Sequence, residues 1–204
     1  MLLKSIFLTS VVLLSYHVFF GQVSFPYNQE WKIIDSLMTK KNLPRSALIE
    51  VNKLYTAAKK DKQEAQWVKA IIYRAHLQET NDQNIKDELE SLESEISSSP
   101  PRVAALLKSI EAEELFQYLQ EHRYQYRNRT AVLTDTSSDI NTWTIRRLID
   151  KISNLYMSSL IDADLLKKTS IENFNDVLIP GNSRELRPTL FDLLAWRALD
   201  YFRI

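Results

Sequence analysis

Only two of the 204 residues are glycine, Gly21 and Gly181, and both fall outside the segments with regular apolar spacing. Sheets built from tight hairpins need turn residues that tolerate positive φ, and glycine is the usual one. A chain this poor in glycine reads as helices joined by short polar loops. The apolar spacing agrees, with seven segments at helical period.

The first segment, 27–40, places Trp31, Ile34, Leu37 and Met38 on one face. Pro44 opens the second, 44–60, as proline commonly does at a first helical position. Its stripe is Ala47, Leu48, Val51, Leu54, Tyr55 and Ala58. The third, 63–80, turns Trp67, Val68, Ile71, Ile72 and Ala75 inward. The fourth, 82–97, has a narrow seam of Ile85, Leu89, Leu92 and Ile96 among acidic residues, the pattern of an outer helix. Pro100 and Pro101 mark a break and a restart into a long fifth helix, 101–126. The sixth, 140–167, carries Trp143, Leu148, Ile152, Leu155 and Tyr156. Between them, 128–139 reads as polar turns, with a short extended piece at Thr130–Leu133. A loop over 169–188 leads to Thr189, which with Asp192 resembles a capping box, and then to a seventh helix that is apolar on most of its circumference. The fold class is therefore all-α: an irregular array of antiparallel helical hairpins of about seven helices, tetratricopeptide-like at 44–60 and 63–80 but without a strict repeat.

The 26 basic and 26 acidic residues cancel, which gives no general attraction to nucleic acid or anionic lipid. The absence of Cys excludes disulfides, thiolate metal sites and thiol nucleophiles. At the N-terminus, Lys4 precedes the largely apolar run Ile6–Phe20. That run is shorter than the roughly 20 apolar residues of a membrane span and has the pattern of a secretory signal. The expected organisation is a signal peptide over 1–22 and one helical domain over 23–204, exported to the periplasm or cell envelope. Contact with a membrane is expected only through the N-terminal segment, if it is not cut.

Candidate chemistry is sparse. His76 and His122 lie near helix ends without a partner at zinc-motif spacing. Glu111, Glu113 and Glu114 cluster in the fifth helix, without the Glu-x-x-His element of binuclear helical sites, and read as a solvated face. No phosphate loop and no nucleophile elbow is present. Neither catalytic residues nor a cofactor or metal site is expected. The densest candidate is Arg123-Tyr124-Gln125-Tyr126-Arg127-Asn128-Arg129, an aromatic and arginine mixture of the kind found at protein interfaces. It reads either as a contact fixing the helix end or as an interface. Arg184, Arg187 and Asp192 read as ordering the loop at the last helix start.

Three stretches carry a family resemblance. They are Tyr27–Lys32 with Asp35–Leu37 and Leu43–Leu48; Asn141–Trp143 with Arg146–Asp150 and Tyr156; and Gly181–Asp192 with Arg197–Asp200. Taken together they resemble the N-terminal region of the large alpha-2-macroglobulin family proteins of Bacteroidetes, a family of endopeptidase inhibitors. The resemblance implies an envelope protein in which a signal peptide and a helical region precede macroglobulin β-sandwich domains. Trapping a protease belongs to other parts of such proteins. A chain without Cys has no thioester to form, and members of the family are many times longer.

The resulting expectation is a non-catalytic interaction module that docks onto downstream macroglobulin-type domains or an envelope protein. Its working surface is placed at Phe191, Leu194, Trp196 and Phe202 on the last helix, with Arg123, Tyr124, Tyr126, Arg127 and Arg129. The rival reading is a free-standing periplasmic helical-repeat adaptor that binds a peptide or protein in a concave face lined by Trp67, Tyr73 and Trp143.

Overall fold

The computed structural model describes residues 25–79, 85–126, 139–179, 181 and 184–203. The signal-like segment, the extended piece at Thr130–Leu133, Arg127 and Arg129 lie outside them. Among the described residues there is no strand, only an isolated bridge between Ser170 and Thr189. The seven long helices among the described residues are α1 (Tyr27–Thr39), α2 (Pro44–Lys60), α3 (Glu64–Glu79), α4 (Ile85–Ser98), α5 (Pro101–Glu121), α7 (Ile145–Ser158) and α9 (Leu190–Phe202). Two single-turn pieces accompany them, α6 (Arg123–Tyr126) and α8 (Ala163–Lys167). The all-α reading holds, and the boundaries of α1, α2 and α3 fall within a residue of those expected.

Two long segments are broken where apolar spacing alone runs on. The fifth ends at Glu121, and His122 turns its Nδ1 to the Tyr118 carbonyl oxygen at 2.9 Å. The sixth becomes three pieces. Asp139 caps a short 3-10 turn, Ile140–Thr142, and Trp143 and Thr144 are extended. The Thr144 hydroxyl then accepts from the Arg147 N–H to start α7. At its other end Ser158 and Ser159 donate to the carbonyls of Leu155 and Tyr156. Such side-chain bonds compete with helix continuation.

The glycine shortage shows in the turns. The turn after α1 places Asn42 at φ 51, and the turn after α2 places Lys62 at φ 55. At Lys62 the Gln63 N–H returns to the Ala58 carbonyl at 2.9 Å, the six-to-one bond of a left-handed helix end. Asn tolerates this backbone; Lys does so at a steric cost.

Apolar burial falls into two clusters. The first joins Trp31 and Ile34 of α1, Ala47, Val51, Leu54 and Ala58 of α2, Trp67, Val68 and Ile71 of α3, Val103, Ala105, Leu106 and Leu107 of α5 and Leu190 and Leu194 of α9. The second joins Ala112, Leu115 and Leu119 of α5, Leu148, Ile152 and Leu155 of α7, and Ala198 of α9. Thus α5 and α9 each run through both clusters. A bidentate Arg102–Glu64 pair, at 2.8 and 2.9 Å, ties the start of α5 to that of α3.

Replacing Lys62 by glycine should relieve the left-handed strain and raise stability by about 1 kcal/mol. Urea unfolding of Lys62→Gly against the parent measures it. An unchanged or lower midpoint would show that the lysine side chain contributes more than its backbone costs.

Candidate interaction surface

The last helix is placed by its first turn. The Thr189 hydroxyl accepts from the Asp192 N–H at 3.2 Å, and the Asp192 carboxylate accepts from the Thr189 N–H at 3.0 Å. This is the capping box read from the sequence, with Asp in the acidic position. From that start, Leu190, Leu194 and Ala198 fall four residues apart on one face and are buried.

Polar contacts fix the same face. Arg197 reaches α5, donating from Nε to the Ser109 hydroxyl at 2.8 Å and from Nη2 to the Ser109 carbonyl at 3.2 Å. Its Nη2 also lies 3.6 Å from Glu113. The Tyr156 hydroxyl donates to Glu113 at 3.0 Å. Burial, and then the charge of Glu113, push the Tyr156 phenol well above its ordinary pKa, so it remains a donor. Tyr201 stacks on Tyr156 at 5.1 Å between centroids and meets Phe116 edge-on at 5.3 Å.

The opposite face of α9 is open. Leu199 is 68% exposed, Phe202 50% and Trp196 43%. Their spacing of three residues keeps them on adjoining turns of one side. The Arg187 guanidinium stacks over the Trp196 ring at 4.3 Å, and the neighbouring Leu186 is exposed. Of the residues assigned to this surface from sequence, Trp196 and Phe202 stand on it. Leu194 does not: it is fully enclosed in the first cluster, on the face that the cap directs inward. Phe191 is half-buried against that cluster with Lys167 over its ring at 4.8 Å. Leu199 was missed because an all-round apolar pattern does not show which side faces out.

The aromatic and arginine segment divides. Tyr118 stacks on His122 at 4.1 Å and donates to Asn141 at 2.9 Å. Tyr126 is buried and donates to the Ile140 carbonyl at 3.3 Å. These contacts fasten the end of α5 to the turn before α7, so Tyr126 is a packing residue and not part of an open face. Arg123 and Tyr124 are exposed. Trp67 and Trp143, expected to line one concave face, are buried in different clusters. His76 is exposed on α3, and no group of three or more potential metal ligands is found among the described residues. An open cleft of about 450 Å³ lies beside α1, lined by Phe25–Gln29, Gln66 and Asp176. Within it Gln66 accepts from Trp31 at 2.6 Å and donates to Asp176 at 2.7 Å.

The glutamate cluster is corrected more sharply. Glu111 is not solvated but 1% exposed, at the junction of the two apolar clusters. Neither of its oxygens has a well-aligned hydrogen bond, and its counter-charge is Lys151 of α7 at 3.3 Å. Burial outweighs that lysine and raises the Glu111 pKa. Burial works against the charge on Lys151 too, but hydrogen bonding and attraction to Glu93 and Glu111 outweigh it, and its pKa is raised.

A carboxyl whose pKa is raised by folding favours the fold below its ordinary value of 4.5 and loses that advantage as pH rises through the folded value. Glu111→Gln should therefore flatten the fall in stability between acid and neutral pH. Lys151→Met at neutral pH should cost about 2 kcal/mol, less than for a fully buried pair because the lysine is partly exposed. Adding Glu111→Gln should restore most of it. Urea unfolding across pH tests this; a Lys151→Met loss untouched by the second substitution would leave the lysine a packing role only.

No family model, no curated protein and no solved structure matches the chain.

Proposed function

We propose that this chain is a non-catalytic helical module of an exported protein of the alpha-2-macroglobulin kind, docking through the outer face of α9 onto a macroglobulin-type domain of the same assembly. The observation that carries the reading is the split character of α9. Its inner face is held by a capping box, buried leucines and the Arg197 contacts, while Trp196, Leu199 and Phe202 project outward. A rigidly anchored helix offers such a row with little further ordering on binding. Trp and an adjacent Arg are the residue types most enriched at interface hot spots. Export is supported by the signal-like segment, and the family by the three resembling stretches. The chemistry of the assembly is assigned to other domains.

The test is a photo-reactive residue placed at position 199 of the protein in its source cells, with the same residue at exposed position 172 as the control. The expected product is a cross-link from position 199 alone, in the envelope fraction, to a macroglobulin-type polypeptide. Trp196→Ala should reduce its yield about tenfold, as loss of a hot-spot side chain does. Equal labelling from the two positions, or a cytoplasmic product, would overturn the reading.

A further inference from the structure

Helix α4 differs from the other long helices in how it is held. None of its described side chains is fully buried, whereas α1, α2, α5, α7 and α9 each bury at least two. Of its described apolar side chains, Leu92 and Ile96 rest half-buried on the first cluster and Leu89 on the second. It therefore lies across the seam between the clusters. Between α3 and α4 a partly open pocket of about 30 Å³ is lined by Ile71, Ala75 and Leu92 together with Arg74, Gln78 and Glu88.

Two carboxylates add charged contacts to this attachment. Glu95 accepts from the Tyr55 hydroxyl of α2 at 2.6 Å, with Arg74 of α3 at 3.6 Å and Lys59 of α2 at 3.7 Å. Glu93 pairs with Lys151 of α7. A pivot is built at the end of α4. Ser97 and Ser98 donate back to the carbonyls of Ser94 and Glu95, and Pro100 is extended at φ −62 and ψ 156 before α5 begins. Proline fixes that backbone and cannot continue the α4 ladder.

We propose that α4 is a hinged strap, pinned over the seam by Glu93 and Glu95, that swings about Ser99–Pro100 while the α5, α7 and α9 assembly stays folded. Local openings of this kind come from elements with few buried apolar contacts. Among its described side chains, swinging out removes only half-buried ones from the core. Lys151 keeps Glu111 as its partner when Glu93 leaves. The strap is a property of the fold and does not depend on what α9 docks against.

Hydrogen–deuterium exchange of the full chain tests it. Amides of residues 86–98 should exchange at least about tenfold faster than those of 103–119 and 146–158. Glu95→Gln should accelerate residues 86–98 by about a further tenfold, as expected for the loss of a charge-assisted bond, with 146–158 unchanged. Glu93→Gln, at a half-exposed pin, should do the same more weakly. Exchange of α4 at the rate of α5 and α7, or uniform acceleration of all helices by both variants, would overturn the strap. Fast exchange of α4 that neither variant alters would overturn the pins.

Discussion

A carboxylate buried in the middle of a helix has no stable place unless something neutralises it, and the interior of this domain is arranged around that condition at Glu111. Above it on α5, Val103, Ala105, Leu106 and Leu107 enter one apolar cluster; below it, Ala112, Leu115 and Leu119 enter the other. Between them runs a polar belt. It is made of Ser109, Glu111 and Glu113 from α5, Lys151 and Tyr156 from α7, Arg197 from α9 and Glu93 from α4. The belt fixes register. Sliding α7 by one turn moves Lys151 by about 5.4 Å and strips Glu111 of its cation. Two greasy helices pack in several registers at similar cost; a helix carrying a matched charge has one.

How far the sequence reaches follows from the same division. Helices α1, α2 and α3 were legible because their apolar stripes are local and their ends are marked by Pro44 and by polar turns. The capping box of α9 was legible because it is written in four consecutive residues, Thr189–Asp192. The breaks at His122 and at Thr144 were not, since both rest on side chains that bond the backbone in competition with an unbroken apolar stripe. The belt was invisible. Arg197 and Ser109 are 88 residues apart, and nothing local distinguishes Glu111, which is enclosed, from Glu114, which is exposed. Three glutamates within about one helical turn read as a wet face because charged residues are seldom fully buried. The exception required knowing which helix lies opposite.

Neighbouring residues on α9 show the cost of that ignorance most plainly. Trp196 and Arg197 are adjacent, yet the tryptophan stands outward under Arg187 while the arginine points into the belt. Hydrophobicity alone predicts the reverse. What decides is the position of the cap: once Thr189 sets the first turn, Leu190, Leu194 and Ala198 define the inner face, and Arg197 lies beside it within reach of Ser109 and Glu113. The outward row is thus a consequence of satisfying the inward polar groups. It needs no adjustment of the core to stay exposed, and this makes it suited to meeting another surface.

Lys151 connects the two halves of this picture. It serves Glu111 inside and Glu93 on α4, so one cation satisfies a carboxylate that must stay paired and another that has water as an alternative. The two carboxylates are unequal: Glu93 is half-exposed and Glu111 is enclosed. When thermal motion tests the cluster, the bond to Glu93 is the one whose loss water compensates, and the bond to Glu111 is the one whose loss leaves a buried charge. The helix that departs first is therefore α4, and the pair that remains is the one holding α5 to α7. Stability is graded across the domain by which carboxylate can reach solvent, with the outer face of α9 carried on the part that stays.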